Sequence, residues 1–485
     1  MKKFLRKNRM FLSMCAIVFL LLCTVRTMYK FSIRDYHVKT NKVLGYSPLE
    51  RAMQVANYLT NLEMQKLQKE QERIDFKYCG GPCRFINVLY IREQETRAQL
   101  HVRHLAFTSA KVNRTLVLPN VSGSHLGACK SHDFEYYYDM EWTRQNKEYF
   151  NSIRMKDFVA WIRERKEANV PVSDQVLSTF DLDTHVDPSA VTHCFSGLTK
   201  PKSTFNQILK WNITGQTCEL SIQAREIAMV QFLKGPSLGN GMNANEDIEV
   251  LHMEIYKANQ WSQMAQSDIP IPYHPAVIKL ADTTAKSLGP FVAIHWRMEA
   301  SKNTNNMLPC AQHLISLLKR KKKFNFFLLT DYPHMFTQEQ QEAAMKGVSS
   351  TSELSQWLQS NSDSFLMTDF TREHHEAIHY LYQHDTFHVL ETEMERGGTP
   401  PDHWQIMQIP DRLKLADVDR PRMIDSGWLG ILDKLIAMRS VHFFAGQKGD
   451  VCGRSKSTFT AQIIDARTIM RKSRTNYFGP KNKTL

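Results

Sequence analysis

The first stretch able to do chemistry is Pro290 to Glu299, where the apolar run Phe291-Val292-Ala293-Ile294 leads straight into His295, Trp296, Arg297, Met298 and Glu299. Arginine keeps its charge at every working pH, and its forked donors suit a phosphate. Two readings of Arg297 stand, a phosphate clamp and an arginine that merely pairs with Glu299. A polar knot, Arg92-Glu93-Gln94-Glu95-Thr96-Arg97-Ala98-Gln99, follows a second apolar run, Phe85 to Ile91. A third candidate is Ser457-Thr458-Phe459-Thr460 before a helical pattern. Hydroxyl residues there are ordinary N-caps, yet exposed amides at a helix start also attract anions.

Other groups have spacing compatible with a metal. Asp181-Leu182-Asp183 and Asp417-Val418-Asp419 are acidic triplets that a hard cation could use, though such triplets are common in loops. His374, His375 and His379 have helical spacing, but no HExxH pattern or nearby cysteine supports zinc, and a solvated helix face is the simpler reading. The glycines between Gly235 and Gly241 lack the spacing and lysine of a phosphate-binding loop and read as a linker.

These residues need elements to hold them. Gly289-Pro290 is a turn signal, and the short apolar run behind it suits a strand covered on both faces of a parallel sheet. In open α/β sheets ligands bind beyond the carboxyl ends of strands, which is where Arg297 falls. Phe85–Ile91, the polar knot, a helix-like stretch from Leu100 to Ala110 and the run Thr115–Leu118 before Pro119 give strand, loop, helix, strand, the start of a βαβ unit. Pro275–Leu288, the Arg297 strand, the helical Pro309–Lys323 and the hydrophobic Phe324–Thr330 repeat the pattern. Trp428–Met438, carrying Asp433, reads as an amphipathic helix, and Val441–Ala445 as a strand.

Upstream lies a different kind of segment. Met10 to Val25 holds no charge and follows Lys2, Lys3, Arg6, Lys7 and Arg9, which reads as an uncleaved signal anchor with the remainder lumenal. The span is short and matches the thinner bilayers of the early secretory pathway. Four Asn-x-Ser/Thr acceptors follow at Asn113, Asn120, Asn212 and Asn482. Of nine cysteines, Cys15 and Cys23 lie in the apolar span, leaving Cys79, Cys83, Cys129, Cys194, Cys218, Cys310 and Cys452 for an oxidising compartment. Seven is odd, so at least one is free or intermolecular. Pro48–Phe76 has helical apolar spacing and reads as a stalk, with too few heptads for a coiled coil. The net charge of +13 is dispersed apart from the N-terminal cluster and Lys319–Lys323, which argues against a dedicated nucleic-acid surface and is compatible with an anionic small substrate.

Three segments, in order, resemble the GDP-fucose protein O-fucosyltransferases and their inverting relatives. They are Glu93 to Pro119, Ile294-His295-Trp296-Arg297, and the run from Gly430-Ile431-Leu432-Asp433 through Phe443-Phe444-Ala445 to Ser457-Thr458-Phe459-Thr460. The resemblance covers most of residues 77–470. It departs from the family at Gln94, Glu95 and Arg97, where the family has glycines, at Ala98 in place of Asn, and in an additional loop with Cys452.

The resemblance implies an α/β fold of two facing Rossmann-like domains, the GT-B arrangement. Expected boundaries are a cytoplasmic tail at 1–9, an anchor at 10–25, a stem at 26–76, an N-terminal domain at 77–235, a linker at 236–271, a C-terminal domain at 272–475 and a tail at 476–485. The implied activity is transfer of fucose from GDP-fucose to a protein or glycan hydroxyl, with inversion and without metal or cofactor. Arg297 would stabilise the leaving diphosphate, and Glu93 or, as the close alternative, Glu95 would be the base. His295, Trp296, Asp433, Ser457, Thr458 and Phe459 would bind the nucleotide sugar. Partners would be a nucleotide sugar, an acceptor and the Golgi or endoplasmic reticulum membrane. The alternatives are a metal-dependent glycosyltransferase using Asp181 and Asp183, and a noncatalytic carbohydrate-binding protein on a transferase fold.

Overall fold

The computed structural model describes residues 48–178, 230–231, 233–235, 237, 243, 246–255, 270–298, 303–332, 370–384, 386–390, 401–407, 409, 425–446, 451–452 and 457–479. The expected anchor, both aspartate triplets, Glu299, Asn212, Asn482, Cys15, Cys23, Cys194 and Cys218 lie outside them. The chain divides into two compact units, Met1–Gln68 and Lys69–Leu485.

Helix α1, Pro48–Cys79, contributes to both units. Its first part, in the smaller unit, exposes Met53, Val55, Tyr58, Leu59 and Leu62. Its last turns, in the segment expected as stem, belong to the larger unit. There Ile74 and Asp75 are buried, and Arg165 donates to both Asp75 oxygens at 2.9 and 3.0 Å while Trp161 Nε1 donates at 2.9 Å. The globular part therefore starts earlier than residue 77, because one buried ion pair fixes the helix end.

The larger unit continues through β1 (Phe85–Ile91), α2 (Glu95–Lys111), β2 (Thr115–Leu118), β3 (Asn120–Ser122) and β4 (His125–Gly127). Then come α3 (Glu141–Gln145), β5 (Ser152–Arg154), α4 (Met155–Glu167), β6 (Asp174–Ser178) and β7 (Val250–Ile255). These strands, apart from the β3–β4 hairpin, form one parallel sheet in the order β5-β2-β1-β7-β6. Strand β7 lies within 236–271, the expected linker, and is central to this sheet with every residue buried.

The second half comprises α5 (Pro275–Ser287), β8 (Phe291–Trp296), α6 (Met307–Leu318), β9 (Asn325–Thr330), α7 (Arg372–His384) and β10 (Phe387–Leu390). It ends with β11 (Gln405–Met407), α8 (Ser426–Arg439), β12 (His442–Gly446), α9 (Thr458–Ile469) and β13 (Asn476–Phe478). A six-stranded parallel sheet runs β11-β10-β9-β8-β12-β13. The expected tail from 476 thus begins with its edge strand. The mixed α/β class with parallel sheets agrees with the expectation.

Strand β8 shows how the sequence makes its place. Both of its faces are buried, so it can be apolar throughout. Phe291 and Ala293 pack into the core shared with α5 and α8, while Val292, Ile294 and Trp296 pack on the other side with α6 and α7. The β3–β4 hairpin turns on Gly123 and Ser124, at φ 58° and 68°, the paired left-handed residues of a type I′ turn.

Candidate functional site

The second sheet reverses its winding beside β8. From β8 the chain moves to β9 on one side, and β12 later adds on the other, so the β8–β12 pair is the topological switch point. Ligand crevices in such sheets open at the carboxyl ends of these two strands. Register pairs His295 with Ala445, which sets half-buried Arg297 just past the end of β8 beside the end of β12. Gly446 is required there, since a Cβ on it would lie 2.7 Å from the Cys452 carbonyl oxygen.

His295 is buried, with Nδ1 2.7 Å from Thr460 Oγ1 and its ring 4.9 Å from that of Phe459. Burial, and then the Arg297 charge, push its pKa from 6.5 down to about 3, so the imidazole is neutral. Ser457 caps α9, its Oγ accepting the Thr460 N–H at 3.2 Å. That bond uses an acceptor lone pair, so the Ser457 O–H can still donate to an anion beside the first amides, at Thr458 and Phe459.

Trp296 does not fit the expected ligand contact. It is 0% exposed, and its Nε1 donates to the Cys452 carbonyl at 2.8 Å. Alternation along the strand turns it to the opposite side from His295. A disulfide joins Cys452 to Cys310 of α6, so Trp296 and α6 both hold Cys452.

The knot after β1 departs further from expectation. Glu95 is buried against Lys434 of α8, with Nζ 2.9 Å from Oε2, and its other oxygen accepts from Tyr138 OH at 2.9 Å and Gln99 Nε2 at 3.0 Å. Lys434 Nζ also lies 2.6 Å from Tyr273 OH, 3.1 Å from Thr96 Oγ1 and 2.8 Å from Gln462 Oε1. Burial lowers the Lys434 pKa and Glu95 opposes that shift. Burial, and then Glu95, hold Tyr138 and Tyr273 neutral. A carboxylate enclosed in this way is a tie between the two sheets' halves and not an available base. Glu93 is less enclosed, but it accepts from Arg97 at 2.8 Å and lies 2.5 Å from His101 Nε2. Burial would raise its pKa, yet His101 and then Arg97 outweigh burial and keep it below the usual carboxylate value.

The structure brings several of these residues together. Phe459 lies between His295 and Lys434, whose Nζ is 5.5 Å from its ring, and Lys434 leads on to Glu95. Gln462 Nε2 of α9 donates to Thr96 O of α2 at 3.1 Å, joining α9 to the knot. Asp433 is half-buried on α8 next to Lys434. Sequence reasoning missed Lys434, although a lysine between Leu432 and Leu435 on an apolar helix was a visible signal. It also missed Asp425, the N-cap of α8, which accepts from Gly427 and Trp428 amides at 3.0 and 3.1 Å and from Gly123 N at 2.6 Å. Tyr137 OH donates to the same carboxylate. Gly427 has no room for a side chain, since a Cβ would sit 2.1 Å from Tyr137 OH.

Among the described residues no group of three His, Cys, Asp or Glu side chains could hold a metal. His374 and His375 are buried and bonded within the fold: His374 Nε2 is 2.9 Å from Met298 O, and Tyr332 OH is 2.5 Å from His375 Nδ1. Asn113 is exposed in the α2–β2 turn. Asn120 is not a free acceptor, because its Nδ2 donates to Lys130 O at 3.0 Å and its Oδ1 is buried.

No protein-family model matches this sequence, and no curated protein matches it. Among solved structures, POFUT1 in complex with GDP-fucose gives a TM-score of 0.39 at 11% identity, over 82% of this chain and 99% of that one. The POFUT1 apo-form gives 0.37 at 13% identity, with the same coverage of 82% and 99%. At such scores and identities the likeness carries no functional argument.

Proposed function

We propose that the protein is a glycosyltransferase that takes its sugar from a GDP-linked donor, fucose being the first choice, and transfers it with inversion to a protein or glycan hydroxyl. The observation that carries the reading is the placement of Arg297 at the β8–β12 switch point, beside a neutral His295 and the start of α9. A fixed cation and helix-start amides aimed at one crevice suit a diphosphate whose charge grows as the sugar departs. That supply of charge removes the need for a metal. The resemblance of the three sequence segments supplies the donor's identity, with Thr458, Phe459 and Asp433 on the nucleotide and Glu93 as the base. We place the catalytic part in the lumen of the Golgi or endoplasmic reticulum behind a single N-terminal anchor.

GDP-fucose turnover by the fragment from Lys69 onward tests this. Arg297→Ala should lower transfer by about 100-fold or more, on the order of the loss of one transition-state donor. Undiminished transfer would sink the assignment. The pairing of Glu93 and the enclosure of Glu95 favour one second reading, a protein that binds a nucleotide sugar without transferring it. Calorimetric GDP binding with no turnover on any acceptor would establish that reading instead.

A further inference from the structure

Arg297 is half-buried between two residues, Trp296 and Met298, that are each 0% exposed. On one side, the Trp296 indole is fixed to the Cys452 carbonyl. On the other, both backbone polar groups of Met298 are held by side chains: Asp331 Oδ1 accepts its N–H at 2.7 Å, and His374 Nε2 lies 2.9 Å from its carbonyl oxygen. Asp331 follows β9 directly, and His374 stands in the first turn of α7, so three elements meet on one residue.

The tautomer of His374 follows from its other nitrogen. The Thr371 amide donates to Nδ1 at 3.0 Å, which makes Nδ1 an acceptor and places the ring N–H on Nε2, facing Met298 O. Met298 therefore has a donor on its carbonyl and a carboxylate on its amide. Both contacts exceed what burial of an apolar side chain alone needs.

We propose that Asp331 and His374 are positioning residues for Arg297: by gripping Met298 from both sides they fix the direction in which the arginine leaves the end of β8. This rests on the reading of Arg297 as the diphosphate clamp. A guanidinium delivers its two-pronged geometry only when the backbone beneath it is fixed, and a displacement of about 1 Å can cost about 100-fold in rate. The grip is polar, so it can be removed or restored one hydrogen bond at a time.

The experiment is a set of double-mutant cycles with two readouts, GDP affinity by calorimetry and GDP-fucose turnover. Asp331→Ala and His374→Ala should each weaken GDP binding or slow turnover by roughly 10-fold or more. Asp331→Asn keeps an acceptor for Met298 N–H, and His374→Gln places an amide donor near the Nε2 position, so both should recover most of the loss. Combined with Arg297→Ala, neither alanine substitution should cause a further loss, because there is no guanidinium left to aim. Additive losses on the Arg297→Ala background would overturn the proposal and leave a structural role only. Wild-type GDP affinity and turnover in the folded alanine variants would overturn it as well. If instead Arg297→Ala alone changes neither readout, the diphosphate reading fails, a result distinct from failure of the grip. Should an alanine variant not fold, the Asn and Gln variants on the Arg297→Ala background decide by the same additivity criterion.

Discussion

A histidine held neutral by burial, and then by a neighbouring arginine, makes part of this protein's stability depend on pH. His295 resists protonation down to about 3, whereas its ordinary value is 6.5. The unfolded chain therefore binds a proton that the folded chain refuses. The stability is whole above the ordinary value and is lost as pH falls from there toward the folded one, by up to about 1.4 kcal/mol per unit. Urea midpoints at pH 7 and pH 5 should differ more for the wild type than for His295→Gln. The same scale decides the glycan acceptors. For a chain that passes through the secretory pathway, Asn113 is open and Asn120 is committed to Lys130. Expression in eukaryotic cells should show one glycan's mass lost in Asn113→Gln and none in Asn120→Gln.

Helices α2, α8 and α9 depend on one another through a single ammonium group. Lys434 and Glu95 are both almost wholly buried, and removal of either partner strands the other charge. Lys434→Met should destabilise the fold by about 3–5 kcal/mol, measured by chemical denaturation. Adding Glu95→Gln to it should recover part of that loss, since the amide removes the stranded charge. Sequence patterning found all three helices, because their apolar spacing survives in the primary structure. It did not find their joint, because Lys434 and Glu95 are 339 residues apart. The same distance explains why Glu95 could stand beside Glu93 as the base that the resemblance implies: its partners are not visible in the polar knot itself.

Across the larger unit, the cross-links determine how firmly the crevice is built. Cys310 and Cys452 are separated by 142 residues and tie α6 to the connection between β12 and α9. Closing so long a loop in the unfolded chain is worth on the order of 5 kcal/mol in the chain-entropy account. Cys310→Ser should lower the unfolding midpoint markedly, and reducing agent should destabilise the wild type more than the variant, which keeps Cys79–Cys83 and the Cys129 disulfide. Cys79–Cys83 spans only 4 residues and should matter far less. Asp425 adds a non-covalent tie, capping α8 while accepting from the tip of the β3–β4 hairpin. The boundaries of the unit follow these ties. Asp75 draws the end of α1 into it, and β7 and β13 fall in the segments expected to be a linker and a tail.

The sequence by itself determined the α/β class, the strands through His295 and Ile91, the hydroxyl-capped start of α9 and the position of Arg297. Each of those is local: burial on both faces demands an unbroken apolar run, and a cap needs a side-chain acceptor, here a hydroxyl, beside the first helical turn. Only the tertiary structure decided that Trp296 turns away from the crevice, that Glu95 is sealed by Lys434, that β7 is central despite His252 and Glu254 within it, and that Asp331 and His374 hold Met298. These outcomes belong to contacts between distant segments, whose free energy depends on what is packed opposite and is written in no single stretch of chain.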